Sequence, residues 1–149
     1  MSLLSFTAQP FKPDVNDELL AETTIRIQLA PSQHKLATER YVTIGRFLSN
    51  CTTLRGPVTE VFAQGSMAIG ATVAARGDDE FDIDLVANVG LSSELTSLSA
   101  AQVLDNFHQA FLSSDRYRSM CARKTRCIQI GYADGMHLDV TPYHPRDVQ

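Results

Sequence analysis

Val61-Phe62-Ala63-Gln64-Gly65-Ser66-Met67-Ala68-Ile69-Gly70-Ala71-Thr72, followed by Glu80-Phe81-Asp82-Ile83-Asp84-Leu85-Val86, holds two patterns that constrain everything around them. The first is an apolar strand that runs into Gly-Ser. A strand broken at Gly65 can turn sharply and present backbone N–H groups, with the Ser66 hydroxyl, to an anion. The second alternates apolar and acidic residues with period two. As a strand it puts Phe81, Ile83 and Leu85 on one face and Asp82 and Asp84 together on the other. Adjacent carboxylates repel, and folding alone gives no reason to pair them; a divalent cation would. A phosphate-binding turn leading into paired metal-binding carboxylates is equipment for moving a nucleotide.

The returning strand Met136-His137-Leu138-Asp139-Val140-Thr141-Pro142 repeats the design. Met136, Leu138 and Val140 would face a core, leaving His137, Asp139 and Thr141 on the other side. If this strand lies beside the one carrying Asp82 and Asp84, three carboxylates converge. That set suffices for two Mg²⁺ ions sharing ligands with a nucleoside triphosphate, and for in-line displacement at phosphorus.

The remaining chain reads as support for this sheet. At 149 residues, with 44% hydrophobic and 20% charged residues, it fits one soluble globular domain with a substantial core. A net charge of -4 offers no overall basic field, which argues against long nucleic acid as an obligatory partner. Cys51, Cys121 and Cys127 lack metal-ligand spacing and read as reduced thiols, and His34, His108 and His144 form no ligand set. Met1 to Pro10 shows no signal peptide, and nothing has the apolar length of a membrane span, so the expected location is the cytoplasm.

In order along the chain, Met1 to Pro13 is expected to be an irregular arm. A helix from Asp14 carries Leu19, Thr23 and Ile27 at four-residue spacing. Pro31 ends or kinks it, and Ser32 caps a second helix whose stripe is Ala37, Tyr41, Ile44 and Leu48. Lys35, Glu39, Arg40 and Arg46 fall on its solvated side. After a loop, Val58 to Ala63 is the first strand, and a helical turn from Ser66 to Gly70 buries Met67 or Ile69. Thr72 to Ala75 reads as a short strand and Arg76 to Asp79 as a turn, with Arg76 placed to reach a phosphate or, more simply, on the surface. Glu80 to Asn88 is a second, central strand. Ser92 to Thr96 is a linker, and Ser99-Ala100-Ala101-Gln102 opens a third helix with a capping box. Its stripe is Ala101, Leu104, Phe107 and Phe111. Ser113 to Arg123 is polar and gives no pattern. Thr125 to Tyr132 and Met136 to Tyr143 form a hairpin around Asp134-Gly135.

Taken together, the Gln64 to Gly70 turn, the Glu80 to Val86 strand and the hairpin from Lys124-Thr125-Arg126-Cys127 to His137 through Pro142 resemble the bacterial CD-NTases. These are relatives of cyclic GMP-AMP synthase and of the bacterial dinucleotide cyclases, within the DNA polymerase beta-type nucleotidyltransferase superfamily. The resemblance covers the chain from about Asp14 onward and implies an α+β fold, a mixed sheet flanked by helices. The whole of residues 1–149 would form one catalytic core, with N-terminal helices over 14–49 and the sheet and active site over 58–143. It further implies a Mg²⁺-dependent enzyme, with Mn²⁺ as a substitute, that makes a cyclic di- or trinucleotide from nucleoside triphosphates. Its product would activate an effector protein encoded in the same operon in anti-phage defence. By matching position, Asp82, Asp84 and Asp139 would be both catalytic residues and metal ligands. Gly65 and Ser66 would hold the donor phosphates, Gln64 belongs to the same nucleotide-binding turn, and Lys124 and Arg126 are candidates for nucleotide contact. His137 reads as a hydrogen-bonded structural residue, since metal activation makes a separate general base unnecessary.

Two departures stand out. The family often has Gly-Thr after the Gly-Ser turn, whereas here Gly70 is followed by Ala71 and then Thr72, so a hydroxyl contact is missing or shifted by one. The family chain also continues into a mainly helical half beyond the third Asp, so this chain is either a fragment of a longer enzyme or a minimal relative; the fragment is the expectation, with little or no activity alone. Two other functions fit the same residues: transfer to an RNA, antibiotic or protein acceptor, and a nucleotide-binding domain without turnover.

Overall fold

The computed structural model describes residues 14–73, 81–90 and 97–143. The helices are α1 (Val15–Ile27), α2 (Pro31–Ser49), a single turn α3 (Gly65–Ala68) and α4 (Ala100–Leu112). The strands are β1 (Val58–Ala63), β2 (Phe81–Val89), β3 (Cys121–Arg123), β4 (Ile128–Gly131) and β5 (Met136–Tyr143). They form one mixed sheet in the order β1-β2-β5-β4-β3. Only the β2–β5 pair is parallel among the named strands; β1–β2, β4–β5 and β3–β4 are antiparallel. The α+β fold expected from the sequence is the one observed.

Alternation in the strands builds the core. Ile83, Leu85, Leu138 and Val140 are each at most 1% exposed, and they pack with Ile44 and Leu48 of α2 and with Phe107 and Phe111 of α4. Burying a side chain of this size is worth about 1.5–3 kcal/mol, so this layer outweighs any single polar contact in the molecule. The opposite face of β2 and β5, carrying Asp82, Asp84, His137, Asp139 and Thr141, is exposed or half-buried. Gly135, at φ +80, closes the hairpin between β4 and β5, as the Asp-Gly pair predicts. Tyr132 N–H donates to the Met136 carbonyl across that turn.

The helices follow the sequence in outline and depart from it in detail. Asp14 caps α1, its Oδ1 accepting from the N–H groups of Asn16 at 2.7 Å and Asp17 at 2.9 Å. On α1 Leu19 is 60% exposed, and the Thr23 hydroxyl donates to the Leu19 carbonyl. Ser32 does not cap α2. The cap position is Ala30, and Pro31 occupies the first turn, where its missing N–H costs nothing. Ala37, Ile44 and Leu48 are buried as expected, with Tyr41 half-buried. Arg40 lies inside a contact with the hairpin tip rather than on a solvated face. In α3 the buried residue is Met67, while Ile69 just beyond is 79% exposed.

Ser99 and Gln102 form the expected capping box on α4, but Ala101 is exposed, and Val103 and Ala110 complete the buried stripe. The stretch 113–123, which gave no pattern, hides Tyr117 at 1% exposure. Its ring lies 5.1 Å from Phe47 and 5.6 Å from Phe111, fastening α2, α4 and this segment together. Of the short strand expected over 72–75, the described part shows Val73 in a bridge with Gln28. The arm over 1–13, Ala74, Ala75, the Arg76 turn, Glu80, the linker over 92–96 and His144 lie outside the described residues.

Candidate active site

The site is built on the two central strands. In the β2–β5 pairing Asp84 is the register partner of Asp139, and Asp82 is the partner of His137. Side chains at paired positions of adjacent strands leave the same side of the sheet, so the three carboxylates share one face. His137 Nδ1 stands 3.5 Å from Asp82 Oδ1, which sets the histidine beside the outer carboxylate as a neighbour rather than in the middle of the set.

The Gly-Ser turn abuts this face. The N–H of Gln64 donates to the Asp84 carbonyl at 2.8 Å, tying the end of β1 to the middle of the acidic strand. Gly65 follows at φ +62, a conformation that glycine adopts without strain. A Cβ placed there would lie 2.6 Å from Asp84 Oδ2, so the missing side chain is what lets the turn come this close to the carboxylate. Ser66 comes next, in the first turn of α3. Its Oγ is 3.4 Å from Thr72 Oγ1, so the hydroxyl shifted by one in the sequence still reaches the serine.

Asp139 supplies the test of whether a cation fits. Its Oδ1 is buried and has no hydrogen-bond partner in the structure, an unfavourable state for a carboxylate oxygen. The donors on this face are carboxylate oxygens, the ligand type that suits Mg²⁺ and Mn²⁺. These residues therefore fit a hard divalent ion. Among the described residues no three His, Cys, Asp or Glu side chains are gathered tightly enough to enclose a metal.

Two neighbours of Asp139 were not singled out from the sequence. Gln129 on β4 pairs with Asp139 and extends the polar face; the Ile128-Gln129-Ile130 alternation carries that signal. Cys127 is buried, and its thiol is pushed up to about 12, first by burial, then by Asp139 beside it, with Asp84 adding to the effect. No spacing of cysteines in the sequence could reveal this neighbourhood. Lys124 and Arg126 are both exposed.

A mixed sheet with two acidic strands side by side and a glycine-serine turn at their edge defines a nucleotidyltransferase-type core. The structure of the Bradyrhizobium diazoefficiens CD-NTase CdnG in complex with GTP matches it with a TM-score of 0.75 at 42% identity, covering 91% of this chain and 39% of that one. The chain belongs to the Second Messenger Oligonucleotide or Dinucleotide Synthetase domain family, whose profile matches residues 15–148. It is 44% identical over 135 residues to the cyclic dinucleotide synthase CdnG of Bradyrhizobium diazoefficiens, covering 89% of this chain and 31% of that protein. It is 28% identical over 127 residues to a c-di-GMP synthase of Roseivirga ehrenbergii, covering 85% and 33%. The chain thus spans about a third of the length of these curated relatives. Among the described residues no helix is long and apolar enough to cross a membrane.

Proposed function

We propose that the protein is the catalytic core of a Mg²⁺-dependent nucleotidyltransferase that joins nucleoside triphosphates into a cyclic di- or trinucleotide second messenger. Asp82, Asp84 and Asp139 would hold the metal ions. Bound there, Mg²⁺ would lower the pKa of the attacking hydroxyl and neutralise charge on the leaving pyrophosphate. The residues of the chain do the rest. Gly65 lets the backbone approach the phosphates, Ser66 donates a hydrogen bond to a phosphate oxygen, and Gln64 anchors that turn to the acidic strand through its backbone. Lys124, exposed between β3 and β4, would offer a further positive charge to the nucleotide. His137 steadies Asp82 and moves no proton.

The observation that carries this reading is the pairing of Asp84 with Asp139 on adjacent parallel strands, with Gly65 against Asp84. The relatives named as cyclic dinucleotide synthases support the product class, and the GTP complex of one of them supports a nucleoside triphosphate substrate. In the cell the product would act on an effector encoded in the same operon, in the cytoplasm, as part of an anti-phage response.

The test is mass spectrometry of the product made by the complete protein from all four nucleoside triphosphates with Mg²⁺. A small phosphatase-resistant cyclic product is expected, and none should form when Asp82 and Asp84 are both replaced by Ala. That double variant should remain folded, since it relieves repulsion between like charges. Undiminished activity in it would refute the site, and a product attached to an RNA, antibiotic or protein acceptor would refute the cyclic product.

A further inference from the structure

Thr72 is 8% exposed, a burial that no other serine, threonine, amide or charged side chain among the described residues reaches. A hydroxyl buried this far needs a polar partner, and the one the structure gives it is Ser66 Oγ, 3.4 Å away. The backbone around it is pinned from two directions. Ala71 N–H donates to the Ser66 carbonyl at 2.8 Å, and Leu29 N–H donates to the Thr72 carbonyl at 3.2 Å. Val73 then bridges Gln28. Thr72 is thus held both by the connection between α1 and α2 and by the Ala71 bond to the turn, and it presents its hydroxyl to Ser66.

We propose that Thr72 is a positioning residue for Ser66, an inference that rests on the nucleotide-binding role proposed above for the serine. A hydroxyl has one proton to give and two lone pairs to receive with. If Thr72 donates to Ser66 Oγ, the Ser66 proton is left to point outward, where a phosphate oxygen, an acceptor only, can take it. The two bonds then reinforce each other in series. A separation of 3.4 Å is long for an O–H···O bond, and contacts of this kind tighten when the ligand arrives. The β-branch of Thr72 restricts its own rotation, so its hydroxyl is a steadier anchor than a serine in the same place.

The experiment is a double-mutant cycle in the complete protein, read as the dissociation constant for GTP with Mg²⁺. Thr72→Val keeps the shape and removes the hydroxyl, and should weaken binding roughly two- to tenfold, the range for one neutral hydrogen bond. Thr72→Ser should recover most of the loss. Ser66→Ala should weaken binding by itself, and adding Thr72→Val to it should cost nothing more. Thr72→Ala serves the same comparison should the valine variant fail to fold. Binding by Thr72→Val equal to wild type, or additive losses in the double variant, would overturn the proposal. A second readout needs no nucleotide: the side-chain couplings of Ser66, measured by NMR on serine-labelled protein, should report one rotamer in wild type and averaging in Thr72→Val. Should wild type bind no GTP, the nucleotide reading fails, and these couplings still decide Thr72; identical rotamer populations in the two proteins would sink it.

Discussion

Gly65 carries two constraints at once, and their sizes differ. Its φ of +62 lies where an L side chain is strained by about 1–2 kcal/mol. The 2.6 Å approach of a new Cβ to Asp84 Oδ2 is more severe as geometry but cheaper to relieve, because the Asp84 carboxylate is exposed and can rotate away. Gly65→Ala should therefore cost only the backbone term, about 1–2 kcal/mol by urea denaturation. Catalysis should suffer more, because the rotation that relieves the clash takes off its station a carboxylate that the proposed function assigns to the metal site. Product formation by the complete protein should fall at least tenfold, more than the stability loss explains, on the order of the loss expected from a displaced reacting group. A Gly65→Ala enzyme with normal turnover would mean that Asp84 needs no fixed position. The glycine was legible in the sequence as a turn. Its contact with the carboxylate was not, because that depends on where β1 ends relative to β2.

Strand periodicity and turn chemistry are local, and at the scale of elements the local signals were sound. The alternation in β2 and β5 sorted core from polar face residue by residue, Asp134-Gly135 marked the hairpin, and Ser99 with Gln102 opened α4. What periodicity cannot show is the partner that a helix face meets. Arg40 looked solvent-facing on α2, yet its guanidinium grips both carboxylate oxygens of Asp134, at 2.9 and 2.8 Å, and lies 3.9 Å from the centre of the Tyr132 ring. This clamp ties α2 to the hairpin that delivers Asp139. Its outer end is partly exposed, so screening limits the ion pair, while the stacked and buried part of Arg40 is screened less. Arg40→Ala should cost about 1–2 kcal/mol near neutral pH, and Arg40→Lys should recover only part of it, because a point charge cannot make the two-pronged contact. The hydrogen bonds from Arg40 hold the Asp134 carboxyl below its ordinary value. A depressed carboxylate contributes stability above its unfolded pKa, near 4, and loses it as the pH falls through the folded value. The stability gap between wild type and Asp134→Asn should thus be full at pH 7 and narrow as the pH falls through the folded value. A gap that persisted unchanged into acid would show that the charge of Asp134 contributes nothing.

For the molecule as a whole, the strand order β1-β2-β5-β4-β3 puts the two acidic strands next to each other at the centre of the sheet, though much of the chain separates them in sequence. Nothing local dictates that neighbour relation. It follows from burying the apolar faces of β2 and β5 against the same helices, which is where most of the folding free energy lies. The site therefore sits on the most strongly held part of the fold, with its carboxylates carried on rigid backbone. At the other extreme is α1, where Val15, Leu19, Leu20 and Ile25 are 60–80% exposed. Four-residue spacing identified the helix and left its burial open, since a periodic stripe says that a face is available, not that anything covers it. Capped by Asp14 but packed on little, α1 has its own hydrogen bonds and few tertiary contacts to hold it. In this 149-residue chain its amides should exchange with solvent on the order of a hundredfold or more faster than those of β2 and β5, because α1 can open locally while the central strands must wait for global unfolding. Exchange measured by mass spectrometry or NMR decides the matter. Equal protection in α1 and the central strands would mean that the helix unfolds only with the sheet, and that its exposed face is covered in solution.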